Sequence, residues 1–156
     1  MYPFLIALAI LPGLFICYYI FRLDKYEAEP KLPLVICFLL GIVIIYPTIW
    51  LEEWAIATGM ENYGSLLTTM IYALVGVAFI EETVKFICLM LYPFRAKFFN
   101  EPMDGIVYSV MIGMGFATLE NIFYADRYGL ETILIRAFTA VPAHAAFAII
   151  MGYFVG

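Results

Sequence analysis

Residues 32–51 read LPLVICFLLGIVIIYPTIWL, a run without one charged side chain. A helix rises ~1.5 Å per residue, so about 20 such residues cross the ~30 Å hydrocarbon layer of a bilayer. The run closes on Trp50, with Trp54 close behind, which suits rings seated at a membrane–water interface. The flanking sequence repeats the pattern. Residues 1–21 carry no charge, and no basic segment precedes them as a signal peptide would require. Further apolar stretches occupy 64–92, 103–124 and 132–156. These predict about five membrane spans, at approximately 1–21, 32–51, 64–92, 103–124 and 132–156, in a single membrane domain covering residues 1–156. The resulting fold class is all-α, a polytopic transmembrane helix bundle.

Composition agrees. Of 156 residues, 65% are hydrophobic and 13% charged, against about 25% charged in a soluble domain. A soluble globular domain, a disordered tail and a disulfide scaffold are excluded. Nucleic-acid binding needs a basic patch, and eight scattered Lys and Arg make none. Cys17, Cys37 and Cys88 all fall in apolar runs without metal-ligand spacing, so they read as small buried residues. No internal repeat or low-complexity segment is present.

The basic residues orient the spans. Arg22, Lys25 and Lys31 flank the first connection and Arg95 and Lys97 lie in the third, whereas the second holds none and the fourth only Arg127. Cytoplasmic loops collect Lys and Arg, so the N-terminus is expected outside. The last span runs to Gly156 with no basic flank, which reads as a piece of a longer membrane protein.

Some charges fall where they are costly. Near a helix centre an ionised side chain costs ~2.5–3.5 kcal/mol on insertion scales, so it must face the bundle interior or a wet cavity. Glu81, Glu82 and Lys85 interrupt the third span, Glu120 lies in the fourth, and the one histidine, His144, lies in the fifth. Glu81 and Lys85 are four apart, acid first, the favourable order for a helical pair. Glu82 points ~100° away and is free to meet another partner. Counted from the span centres, the three groups fall at depths close enough to meet at one level. Gly113 and Ala117 form a small-residue seam for a neighbouring helix, and Pro142 is expected to bend the last span beside His144. Asp104 reads as an acid at a helix N-terminus.

Buried carboxylates with one imidazole suit water activation, with or without a metal, and they also suit proton or ion transfer in a carrier. A single histidine and no HExxH exclude a zincin site. Blander roles also fit: Glu81 with Lys85 as a packing ion pair, His144 as a hydrogen-bonded core residue, and Glu120–Asn121 as a wet helix end.

The motifs themselves add a further argument. Glu81-Glu82-Thr83-Val84-Lys85 reads EExxK, Phe116 to Asn121 reads FxxxEN, and Pro142-Ala143-His144-Ala145 stands in the next span. Asp24 to Pro30 (DKYEAEP) and Met103 to Tyr108 (MDGIVY) stand around them. In this order, over nearly the whole chain, they resemble the PrsW family of bacterial intramembrane proteases, distant relatives of the CAAX-processing and bacteriocin-processing membrane proteases. The resemblance implies a multi-pass protein of the bacterial inner membrane. It also implies an enzyme making the first (site-1) cut in a single-span, membrane-anchored anti-sigma factor during a stress response. Its implied catalytic residues are Glu81, Glu82, Glu120 and His144, supported by Lys85, Asn121 and Phe116. In the expected roles one of Glu81 and Glu82 activates water, and Lys85 holds the other. His144 and Glu120 polarise the scissile carbonyl or, with Glu82, ligate a metal, for which zinc is the candidate. Members of the family continue into further spans, one with a histidine in an HGxxD-like motif; if that histidine is a ligand or an oxyanion group, this chain is an incomplete, inactive core. The competing class is a proton- or ion-coupled carrier or a non-proteolytic scaffold; a carrier more often shows repeated, broken spans.

Overall fold

A computed structural model describes residues 3–24, 29–61 and 63–156, all helix and short connections with no strand among them. The order is α1 (Pro3–Leu23), α2 (Lys31–Val43), α3 (Ile45–Ala57), α4 (Leu66–Ile71), a π-helical segment (Tyr72–Ala78), α5 (Phe79–Leu91), a 3-10 turn (Pro93–Arg95), α6 (Pro102–Tyr128), α7 (Leu130–Phe138) and α8 (Ala140–Val155). Lys25 and Glu27, both of the first expected loop, lie outside the described residues.

Four helical stretches are long and apolar enough to cross a membrane: Pro3–Leu23, Lys31–Ala57, Pro102–Tyr128 and Leu130–Val155. The third expected stretch, 64–92, is helical too, but it is divided into α4, the π segment and α5. One wide π turn rotates the helix after it relative to the helix before it, and such turns recur at functional sites. Here it directly precedes the turn that carries Glu81 and Glu82.

Local chemistry sets the boundaries. Ser65 caps α4, its hydroxyl accepting from the Thr68 N–H at 3.2 Å while the Ser65 N–H donates to Thr68 Oγ1 at 3.0 Å. Pro102 starts α6 where its missing N–H costs nothing. Asp104 Oδ2 accepts from the N–H groups of Asn100 at 2.6 Å and Glu101 at 2.8 Å, which tie down the same helix end. The acid expected at this terminus is therefore a cap. Gly129, at φ +79°, turns the chain from α6 into α7. The last span breaks at Thr139, three residues before Pro142, whose ring cannot donate back to Phe138.

Two stretches read as loops are helical instead. Glu52, Glu53 and Trp54 belong to α3, and Asp126, Arg127 and Tyr128 to α6. Polar residues at a membrane surface do not end a helix, because water satisfies side chains and the backbone ladder continues.

α6 is the axis. Its middle is buried from Asp104 almost without interruption to Thr118, with α1, α2 and α8 packed around it. Small residues allow the closeness that lipid-solvated helices need, since no hydrophobic force separates protein from lipid. A Cβ on Gly115 would overlap the Phe38 carbonyl oxygen of α2.

A polar cluster closes the end of the bundle where α6 begins. Glu29, 5% exposed, accepts a hydrogen bond from the Tyr108 hydroxyl. Burial, and then the hydrogen-bonded Asp104 carboxylate beside it, push the Glu29 carboxyl up to about 8. A folded-state pKa above the unfolded one means that the folded chain holds the extra proton between roughly pH 4.5 and 8. Stability should therefore fall as pH rises through that window. Denaturation of the protein in micelles at stepped pH should show this slope, and Glu29→Gln should flatten it; an unchanged slope in Glu29→Gln would assign the effect elsewhere.

Candidate functional site

The charges that read as misplaced in the sequence converge. Lys85, 3% exposed, lies on α5 one turn after Glu81 and Glu82. Its Nζ donates to Glu81 Oε2 at 3.1 Å and to Glu82 Oε1 at 2.8 Å. A third contact, at 3.1 Å, reaches His144 Nδ1 on α8. An ammonium has three protons and no acceptor, so Nδ1 must accept, and the imidazole proton sits on Nε2. That proton is donated to Glu120 Oε2 on α6, at 3.0 Å. The Phe116 ring lies under the same ammonium, its centroid 4.1 Å from Nζ, and it also packs against the His144 ring.

Helix packing makes this meeting possible. The expected small-residue seam is used: a Cβ on Gly113 would lie 3.1 Å from Ala148 Cβ and 3.6 Å from the His144 carbonyl oxygen. α8 is thereby drawn against α6, which brings His144 within reach of Glu120 and of α5.

The network runs further than the motifs. Arg136 of α7 donates from Nη2 to Glu120 Oε2 at 2.6 Å and from Nε to Asn121 Oδ1 at 2.7 Å, with its guanidinium over the Tyr124 ring at 3.9 Å. Asn121, 1% exposed, donates on to the Ala9 carbonyl of α1 at 3.4 Å. Glu81, Glu82, Lys85, Phe116, Glu120, Asn121 and His144 thus stand in one connected set.

Arg136 belongs to none of the motifs, and by sequence it is only a charge near the last loop. A signal does exist: it is a basic residue inside an apolar segment, two helical turns before His144. Glu52 also escapes the sequence reading. It lines a cavity of about 500 Å³ together with Glu81, Phe116 and Glu120 at one end and Tyr63, Arg127 and Tyr128 at the other. Ile45, Thr48, Ile49, Glu52 and Ile56 form the α3 wall, a helical periodicity that continues through the stretch read as a loop.

Donor atoms of Glu81, Glu82 and His144 lie within 4.8 Å of one another, the kind of set that holds a metal. Glu120 does not join that set, because it bonds the opposite ring nitrogen of His144. By type these donors suit a divalent ion, but the space does not: Lys85 Nζ already sits between all three.

Comparison with known proteins gives the family. Residues 29–156 match the family model described as PrsW family intramembrane metalloprotease. The chain is 36% identical to Protease PrsW of Geobacillus kaustophilus over 97% of its own length and 65% of that protein's. It is 33% identical to Protease PrsW of Bacillus subtilis, over 97% of this chain and 67% of that one. For Protease PrsW of Clostridioides difficile the identity is 35%, over 97% of this chain and 64% of the relative. The chain therefore spans about two thirds of the length of these relatives. No solved structure matches it.

Arg136 and Glu120 are mostly buried, with side chains 13% and 17% exposed. Breaking such a pair leaves an uncompensated charge and costs about 3–5 kcal/mol. Arg136→Ala should lower stability by that order in a denaturant titration of the reconstituted protein. Arg136→Lys should recover only part of it, because a lysine cannot bridge Glu120 and Asn121 together. Full recovery by Arg136→Lys would show that charge alone matters there.

Proposed function

Because the chain belongs to the PrsW family of intramembrane metalloproteases, we propose that it forms the core of a bacterial inner-membrane protease. The bond cut lies in a single-span membrane protein, and by resemblance this is the first cut in an anti-sigma factor. The N-terminus lies outside. On that orientation the cavity mouth at Tyr63, Arg127 and Tyr128 faces the outer side, since it is built from the ends of α3 and α6 and the connection after α3.

One observation carries the reading: two carboxylates with separate roles share one cavity wall. Glu81 and Glu120 both line the cavity, yet their partners differ. Glu120 is occupied by Arg136 and His144, both donating to Oε2, which leaves it little capacity to take a proton. Glu81 is bonded through Oε2 to Lys85, and its other oxygen has no protein partner among the described residues. Glu81 is the general base. Its carboxylate takes a proton from water, the water oxygen attacks the scissile carbonyl carbon, and the proton passes to the amide nitrogen as the C–N bond breaks. Lys85 places positive charge beside the developing oxyanion, and His144, bonded to both Lys85 and Glu120, holds that charge in place. Glu82 balances the lysine and keeps it from neutralising Glu81 completely. The apolar walls, including Ile45, Ile49 and Phe123, suit an unwound stretch of a membrane segment. No step in this scheme runs through a metal.

Glu81→Gln should reduce cleavage of a co-expressed single-span reporter about 10²-fold or more, the usual worth of a general base, with insertion unchanged. Glu82→Gln should also abolish it, by releasing Lys85 onto Glu81. The assay is best run on this chain and on a form extended by the remaining length of a relative, with the cut product read by immunoblot. Cleavage retained in both variants of a form whose parent is active would sink the assignment.

A further inference from the structure

The family description calls for a metal, and the three side chains best placed to hold one all point at an ammonium. Lys85 Nζ lies 3.1 Å from Glu81 Oε2, 2.8 Å from Glu82 Oε1 and 3.1 Å from His144 Nδ1. Three protons meet three acceptors, so the group is fully satisfied. The Phe116 face, 4.1 Å away, covers it on another side. A divalent ion bound by the same three atoms would have to stand within a few ångströms of Nζ. In a low-dielectric interior that repulsion is far larger than in water. Lys85 is 3% exposed, so an ammonium displaced by the ion would stay buried without these three partners. The two cations exclude each other.

We infer that the Lys85 ammonium is the resident cation of this centre, in the position that a divalent metal would otherwise take. The lysine does what a structural ion would do in fixing the two carboxylates and the imidazole, and it selects the Nε2–H tautomer of His144 that Glu120 requires. It is a positioning residue, tethered to the helix that carries two of its own ligands. The inference stands apart from the protease reading, because its readout is cation binding.

The test uses the full chain in lipid nanodiscs, with cobalt(II) as the probe and zinc(II) as competitor. Metal content after desalting and the visible absorption of ligated cobalt are both recorded. The wild-type chain is expected to retain no stoichiometric metal and to show no ligated-cobalt band. Lys85→Met, which keeps length and removes charge, should gain about one cobalt per chain, bound at least about tenfold more tightly than by the wild type. Adding Glu82→Gln to that variant should abolish the gain. Lys85→Arg, which keeps the charge, should bind no more cobalt than the wild type. The inference is overturned by stoichiometric metal in the wild type that Glu82→Gln or His144→Ala removes. It is equally overturned by a folded Lys85→Met that gains nothing. Should Lys85→Met fail to fold, the wild-type and Lys85→Arg measurements still decide, since Glu82-dependent cobalt in either refutes the inference.

Discussion

Everything in this bundle is arranged around keeping one ammonium group content in an apolar interior. An unpaired buried charge is among the costliest features a protein can carry, and here Lys85 is paired on three sides. Each partner needs satisfaction in turn, so the requirement propagates. His144 passes it from α8 to Glu120 on α6, Arg136 brings in α7, and Asn121 ends the chain of bonds on the α1 backbone. A membrane bundle has little hydrophobic drive to hold its helices together. Close packing along α6 and this polar thread supply what the lipid does not.

Much of this is legible from residues alone. The charge-free runs indicate the helical class, and the rarity of charge makes Glu81, Glu82, Lys85, Glu120 and His144 conspicuous. Residue spacing correctly pairs Glu81 with Lys85 on one helix, but Glu82, expected to face another partner, bonds the same lysine at i,i+3. Spacing cannot show which helices adjoin, so it misses that Arg136 belongs to Glu120 rather than to a loop. At Glu52 polarity misleads, because a helix continues past its first acids. The π turn before Glu81 has no sequence signal, since Tyr72 to Ala78 is unremarkable in composition.

The expected ligand set also shows where one-dimensional reasoning stops. Glu82, Glu120 and His144 are reasonable ligands by residue type. In three dimensions His144 has two faces, one turned to Lys85 and the other to Glu120. The imidazole therefore divides the carboxylates into two groups rather than gathering them. Glu81 and Glu82 belong with the lysine, and Glu120 belongs with the arginine. That division gives two acids in one cavity different partners.

The pairing of Lys85 with both glutamates inside α5 also bears on how the protein is made. A ribosome delivers α5 to the membrane before α6, α7 or α8 exists, so Glu120, Arg136 and His144 are not yet present to help. Two of the three lysine contacts need only the α5 helix itself, at i,i+3 and i,i+4. The segment thus reaches the translocon with its lysine and one acid's worth of charge already cancelled, and a single net negative charge left over. α1 and α2, which arrive earlier and wait for α6 as their packing partner, carry almost no charge within their length. In α5, order of synthesis and distribution of charge match: the lysine brings two of its three partners on its own helix, and only His144 has to arrive later.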